Sequence, residues 1–462
     1  MTNKLIINRE KLYSLIEETT PPKEKIRDVL NKALKMQGLD LSDVAILLKA
    51  ETKEQIAEIM ETARIVKENI YGKRLVLFAP LYTGNECINN CVYCAFRNDN
   101  KSLKRKILNM GEIKTETKSL LKDGHKRILL ICGESPNNNT EYMIEAIRTV
   151  YSVNEGVNQI RRINIELSPM SESDFAKLKA EKIGTYICFQ ETYDSILYEK
   201  YHPAGTPKSD YEYRLTVMDR AMSAGIDDVG LGVLFGLADY RFEILALMEH
   251  ASYLEKTFGC GPHTISFPRI EPADNAPLSQ KIPYPVSDDD FKKIIAIIRI
   301  ALPYTGIILS TRESSELRSE LFQYGVSQIS AGSRTNPGAY SNDKSQTGSQ
   351  FSLGDHRTLD EVISDIVECG YVPSFCTGCY RQGRIGHDFM ELAKPGLIKE
   401  YCMPNALFTF EEYLNDFASP ETKKKGHELV NNLITQTENP ILKEKITKMI
   451  TEIDAGKRDV YF

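Results

Sequence analysis

The chain has 462 residues and a formal charge of -6, from 58 basic and 64 acidic side chains spread along it. Such a balance excludes the basic footprint of a nucleic-acid binder and directs attention to small molecules and proteins as partners. The length exceeds one small core and fits a large barrel with appendages, or two to three domains. The first ten residues lack the apolar core of a signal peptide and no run of about 18 apolar residues occurs, so the reading is a cytoplasmic chain without a membrane span.

In chain order, residues 1–72 read as a helical extension. Pro21-Pro22 open one helix, and Thr52 with Gln55 forms a capping box before Ile56 to Ile70. From 73 to 340, eight short β-rich runs alternate with helical patterns, the sign of βα units around a parallel sheet. The runs are Leu75–Leu81, Arg127–Cys132, Arg162–Leu167, Thr185–Gln190, Val229–Phe235, His263–Pro268, Gly306–Thr311 and Ser327–Ala331. Between them, Tyr142–Tyr151, Tyr211–Gly225, Phe242–Thr257 and Asp288–Leu302 carry apolar residues at helical spacing. Eight such units predict an α/β fold, a (βα)8 TIM-type barrel. Residues 340–355 are polar and glycine-rich and read as a mobile connection. Residues 341–462 read as a helical C-terminal domain that carries further cysteines.

Reactive residues of such barrels gather at the C-terminal ends of the strands. There the first run delivers Cys87-Ile-Asn-Asn-Cys91-Val-Tyr93-Cys94. Three thiolates on a tight loop reach three corners of a cubane iron-sulfur cluster and leave one iron open to a chelating molecule. The C-x3-C-x2-C spacing, with Tyr93 before the last cysteine, resembles the signature of radical S-adenosylmethionine (SAM) enzymes. A zinc knuckle is the alternative, but structural zinc is normally closed by four ligands and no fourth follows nearby. The second run ends in Cys132-Gly133-Glu134, where a carboxylate beside a glycine suits the amino group of SAM. Glu191 and Arg214 are candidates for its ribose hydroxyls and carboxylate, or else pair with each other. Arg312, after the seventh run, offers a planar fork for an amino-acid carboxylate, with Ser330, Ser333 and Arg334 as weaker candidates. A second set, Cys376, Cys379 and Cys402, again leaves one metal corner open, unless His387 completes a zinc site. Cys132, Cys188, Cys260 and Cys369 read as core thiols.

Along Pro373-Ser-Phe-Cys-Thr-Gly-Cys-Tyr-Arg-Gln-Gly-Arg-Ile-Gly386 and at Cys402-Met-Pro-Asn-Ala-Leu407, the chain resembles the HydG family, radical SAM maturases of the FeFe-hydrogenase H-cluster. The resemblance runs nearly end to end. It includes Ala79-Pro-Leu-Tyr82, Phe189-Gln-Glu-Thr-Tyr193, His202-Pro203, Gly225-Ile-Asp-Asp-Val-Gly230, Gly261-Pro-His-Thr-Ile-Ser-Phe-Pro-Arg269 and Ser330-Ala-Gly-Ser-Arg334. It implies a lyase that splits the Cα–Cβ bond of L-tyrosine into p-cresol and dehydroglycine, and then forms carbon monoxide and cyanide. It further implies a SAM-binding 4Fe-4S cluster on Cys87, Cys91 and Cys94, and an auxiliary 4Fe-4S cluster with an additional iron on Cys376, Cys379 and Cys402, with His263 as a ligand of that iron. Tyrosine, SAM, cysteine, iron, an electron donor and other hydrogenase maturases are the implied partners. His263 opens the sixth run, at the bottom of the barrel, so the two clusters should occupy opposite ends with a small intermediate passing along the axis.

Two departures stand near where cofactor and substrate should meet. Family members commonly carry Tyr-Gly-Glu-His where this chain has Cys132-Gly133-Glu134-Ser135, and Asn-x-Ala-Pro where it has Glu166-Leu167-Ser168-Pro169. An extra residue also falls within His202 to Lys208. The first two changes leave both cysteine sets intact and bear on the choice of tyrosine, so one alternative is a paralogue that takes another amino acid or stops at dehydroglycine; a separate alternative, of a different class, is a non-catalytic carrier of clusters or iron.

Overall fold

A computed structural model describes residues 6–18, 23–341, 348–384 and 386–462. Eight parallel strands close into a barrel: β1 (Arg74–Gly84), β2 (Arg127–Cys132), β3 (Arg162–Glu166), β4 (Tyr186–Glu191), β5 (Val229–Val233), β6 (Thr264–Ser266), β7 (Gly306–Leu309) and β8 (Gln328–Ser330). Each of the eight β-rich runs is one of these strands. Closure comes from β8 pairing with β1, Val76 opposite Gln328 and Phe78 opposite Ser330. A ninth strand, β9 (Val372–Ser374), adds in parallel at the start of β1, with Arg74 opposite Val372. It therefore belongs to the bottom rim, and the chain leaving it is delivered there.

The outward faces of the strands are apolar because helices cover them. The inward face is mixed. Midway along the axis Phe78, Leu129, Ile187 and Ile308 pack together. Nearer the bottom, Arg127 donates to Gln328 Oε1 at 2.8 Å and Arg162 to Asn164 Oδ1 at 3.0 Å. Strand β3 shows the pattern most plainly: Ile163 and Ile165 join the outer core, while Arg162, Asn164 and Glu166 alternate with them toward the axis.

The N-terminal helices lie against the barrel helices. The longest, Lys53–Tyr71, begins with the capping box of Thr52 and Gln55 and packs against Asp288–Ala301. Pro21 and Pro22 lie outside the described residues, as do 342–347 of the polar connection. On either side of the latter, Tyr340 OH donates to Pro80 O at 2.7 Å and Gln350 accepts from Tyr82 OH at 2.7 Å, so both flanks are anchored on β1.

One expectation is corrected. Tyr211–Gly225 is not a single helix but two, Tyr211–Leu215 and Val217–Ser223. At the break, Thr216 Oγ1 bonds back to Glu212 O at 2.7 Å and Arg220 Nη1 donates to Thr216 O at 3.2 Å, so local side-chain bonds compete with the helical ladder.

The C-terminal helices close the bottom. Helix Lys399–Asp416 packs on β9 and buries Glu412 completely, where it meets Arg161 at 2.7 Å and Lys126 at 3.5 Å. The same carboxylate accepts the backbone N–H of Asp459 at 2.8 Å. Glu412 thus joins the start of β2, the start of β3 and the chain's last turn. Glu412→Ala leaves buried Lys126 without its anion and Arg161 with only Asp459, at 3.5 Å, and should cost about 3 kcal/mol of stability, read as a lower midpoint in urea unfolding.

Candidate active site at the two ends of the barrel

At the top, the loop after β1 carries Cys87, Cys91 and Cys94 beneath the end of β2. Ile88 N donates to Glu134 O at 2.8 Å and Gly133 N to Gly84 O at 3.0 Å. A Cβ at Gly133 would lie 2.3 Å from Glu86 O and 3.1 Å from Cys87 Cβ, so only glycine lets the strand pass the loop this closely. Asn89 Nδ2 donates to Glu134 Oε2 at 2.6 Å, and Tyr93 OH lies 2.8 Å from His202 Nε2, which fixes that ring. Burial, then the neighbouring Cys91 and Cys87 sulfurs, push the Cys94 thiol up to about 12. Burial raises the Cys91 thiol as well, and a bound metal cluster would supply the cationic charge that thiolates in such a place need.

The three sulfurs open on a chamber of about 690 Å3 that also includes Gly133, Glu134, Lys208 and Arg214. Glu191 ends β4 with φ 71°, a strained conformation for a residue with a side chain. Although burial alone would raise it, Lys208 and Arg214 hold the Glu191 carboxyl low. Lys208 is the nearer partner, at 2.6 Å, and Arg214 stands at 3.8 Å while donating to Phe189 O at 2.6 Å. Glu191 and Arg214 are therefore together, through a lysine that sequence reasoning missed.

Beside this chamber a second cavity of about 990 Å3 descends into the barrel mouth. Tyr93, Cys94, Glu166, Phe189, Glu191 and Gln350 line both. Its lower wall is apolar, from Phe78, Leu129, Ile187 and Ile308. Arg312 enters it with the guanidinium 3.4 Å from the Phe351 ring centroid, and among the described residues that guanidinium's only hydrogen bond is a 3.5 Å contact to Arg269 O. Ser330 lines the same cavity, its Oγ accepting from Thr311 N at 3.2 Å. Ser333 and Arg334 do not line it; Arg334 instead donates to Ser333 O at 2.9 Å.

At the bottom, β9 and helix Lys399–Asp416 bring Cys376, Cys379 and Cys402 to the floor. Arg74 Nη2 lies 3.3 Å from Cys402 Sγ, and Arg162 Nη1 lies 4.0 Å from Cys376 Sγ. Contact with Cys402 first, and then Arg384 and Arg74, lower the Cys379 thiol against its burial. His263 borders the same floor, with Nδ1 3.7 Å from Asp228 Oδ1. Burial pushes its pKa down to about 4, which leaves a neutral imidazole able to bind metal. His263 Nδ1, Arg74 Nε, Arg127 Nε and Arg127 Nη1 are buried without a hydrogen-bond partner. Cations and a free imidazole left this way fit an anionic, thiolate-held cluster.

The zinc alternative at the tail is not supported. His387 is exposed and pairs with Glu391 at 3.7 Å. Of the four remaining cysteines, Cys188 and Cys260 are buried core thiols, whereas Cys132 and Cys369 are half-buried. Cys132 and Cys188 both border the upper chamber.

Residues 81–251 match the Radical SAM superfamily, and 266–372 the Biotin and Thiamin Synthesis associated domain. A solved structure described as HydG, a maturase of the FeFe-hydrogenase, is 44% identical, with a TM-score of 0.95 over 99% of this chain and 100% of that one. The chain belongs to the HydG family. A second family structure, from Carboxydothermus hydrogenoformans, is 43% identical with a TM-score of 0.85, covering 97% of this chain and 99% of that one. The 2-iminoacetate synthase of Salmonella typhimurium is 30% identical over 74% of this chain and 89% of its own length. Membership in the radical SAM superfamily brings a 4Fe-4S cluster and SAM to this family's barrel. No described helix is long and apolar enough to cross a membrane.

Gly133→Ala forces the cysteine loop and β2 apart. Iron bound by the reconstituted protein should fall by about half, with loss at the Cys87 set and retention at the Cys376 set, measured by iron content and electron paramagnetic resonance.

Proposed function

We propose that the chain is a radical SAM lyase that cleaves L-tyrosine to p-cresol and dehydroglycine and forms carbon monoxide and cyanide for H-cluster assembly in the cytoplasm. The observation that carries this reading is the pair of thiol sets at opposite ends of one barrel, with an amino-acid-sized cavity under the upper set. Cys87, Cys91 and Cys94 would hold the SAM cluster. Gly133, Glu134, Glu191 and Arg214 border the space for SAM, with Tyr93 set by His202.

When bound, SAM at its cluster would supply radical hydrogen-abstraction chemistry, directed at the substrate amine. The chain's own contribution is placement. Arg312 grips the substrate carboxylate with a planar fork, and its stacking on Phe351 keeps that fork in one orientation. Phe78, Leu129, Ile187 and Ile308 accept the aromatic ring and keep water from it. Ser330 holds the Thr311–Arg312 turn in place through Thr311 N. The name 2-iminoacetate synthase, borne by relatives, supports dehydroglycine as the first small product, since the two names describe one molecule.

Cys376, Cys379 and Cys402 would hold the auxiliary cluster, with His263 on the additional iron. Arg74 and Arg162 already stand beside two of these sulfurs. Dehydroglycine would travel down the axis past the polar layer of Arg127, Gln328 and Asn164. A paralogue acting on another amino acid is favoured by one observation only: Glu166, one of the departures from the family pattern, stands in the wall shared by the cofactor and substrate cavities.

With clusters reconstituted anaerobically, SAM and dithionite should convert tyrosine to p-cresol, detected by chromatography. SAM cleavage without p-cresol would remove tyrosine as substrate. Cys379→Ala should abolish carbon monoxide, measured by its binding to haemoglobin, while p-cresol formation persists. Parallel loss of both products would count against separate sites.

A further inference from the structure

The proposed function leaves the amine end of the substrate unheld. Arg312 follows β7 and Glu166 ends β3; these strands are four positions apart in a ring of eight, so the two side chains face one another across the mouth. Both line the 990 Å3 cavity. Register places Glu166 level with Ile131 on β2 and with Ile187 of the apolar lower wall on β4. Among the described residues Arg312 has no carboxylate partner, and Glu166 has neither an ion pair nor a side-chain hydrogen bond. One free cation and one free anion opposed across an apolar slot match the two charges of an amino-acid zwitterion. Glu166 also borders the chamber of the upper cysteines, so a group bound to it lies on the side where hydrogen abstraction would begin.

We propose that Glu166 is the amine-side catalytic residue: its carboxylate binds the α-ammonium of an L-amino acid anchored by Arg312 and takes one proton from it before the hydrogen atom is removed. The inference rests on the amino-acid lyase reading. In the step, one N–H bond of the ammonium breaks heterolytically and one O–H bond forms on Glu166. No electron changes hands, the amine becomes neutral with its nitrogen lone pair restored, and the proton returns to water after the products leave.

The charged and titratable groups facing Glu166 come from every side of the mouth: Tyr82 from β1, Glu191 from β4, Lys208 and Arg214 from the segment after it, and Arg312 from the turn after β7. Burial first, and then repulsion by Glu191, lift the Glu166 carboxyl to about 7 against the pull of Arg312, Lys208 and Arg214. The ionised carboxylate is the working form. Activity limited by it is therefore complete above that value and is lost as pH falls through about 7.

The test compares wild type, Glu166→Gln and Glu166→Asp as cluster-loaded protein. Without reductant, equilibrium binding of L-tyrosine is set against 3-(4-hydroxyphenyl)propanoate, which lacks only the amine. With reductant, p-cresol formation is followed from pH 6 to 9. Wild type should prefer tyrosine and lose kcat/KM about tenfold per pH unit on the acid side. Glu166→Gln should lower kcat by about 100-fold at pH 8, abolish the acid limb and weaken tyrosine but not the des-amino acid. Glu166→Asp should keep the acid limb, and thermal melting of all three checks folding. A Gln variant with wild-type tyrosine affinity and pH profile would overturn the proposal. If tyrosine is refused, the lyase reading falls, and the same comparison with whichever L-amino acid binds still decides the role of Glu166; if none binds, both fall.

Discussion

The bottom of this barrel is governed by guanidinium charge taken out of water. Arg74, Arg127 and Arg162 are each less than 5% exposed, and Asp228 is the carboxylate that meets one of them, at 3.3 Å from Arg162. Burying charge this way costs several kcal/mol per ion unless anions face it. The fold supplies sulfur instead of carboxylate. Strand β9 pairs with the first residues of β1 and releases the chain at Cys376, which adopts φ 49° as it turns under Arg162. Helix Lys399–Asp416 brings Cys402 to Arg74. Tyr380 completes the floor, its ring 3.2 Å from the Arg162 guanidinium and its hydroxyl bonded to Asp228. The C-terminal region is thus the electrostatic counterpart of three strand-starting arginines.

The same logic runs up the axis. Interiors of such barrels are ordinarily filled by branched apolar side chains in layers. Here β3 turns Arg162, Asn164 and Glu166 inward, so a single strand contributes to the floor, the polar layer and the upper wall. The apolar belt of Phe78, Leu129, Ile187 and Ile308 separates a cationic end from an end where, among the described residues, one carboxyl and one guanidinium have no ion-pair partner. The belt gives the barrel its core; the polar residues above and below it give the two ends different chemistry.

Strand order, both cysteine sets and the rim arginine were legible because each is a local signal: period and length for the runs, spacing for the thiols, a strand end for Arg312. What escaped the sequence depends on contacts between distant segments. Lys208 lies 17 residues from Glu191 in a single 3-10 turn, Pro207–Ser209, too short to show a periodicity. Gln350 reaches Cys94 at 3.7 Å from beyond the polar connection, across 256 residues. Arg127 and Arg162 sit at strand starts, where an arginine ordinarily reads as a surface residue, and only barrel closure buries them. His387 has the spacing of a zinc ligand, but the helix that carries it turns it to solvent. A signal was available for β3: the alternation Arg-Ile-Asn-Ile-Glu has period two, with its polar face toward what a barrel reading assigns to the core.

Groups poised without partners weaken a fold, and this one carries them at both ends of its central axis. Among the described residues, Arg312 and Glu166 above have no ion-pair partner, and Arg127, Arg74 and His263 below each keep a buried nitrogen without a hydrogen-bond partner. Compensation lies outside the axis, in elements that touch no ligand. The N-terminal helices pack on the barrel helices, and Glu412 binds two cations and a backbone N–H. Ligand binding then completes charge pairs that are already in position, so little of the binding energy is spent on rearranging the protein.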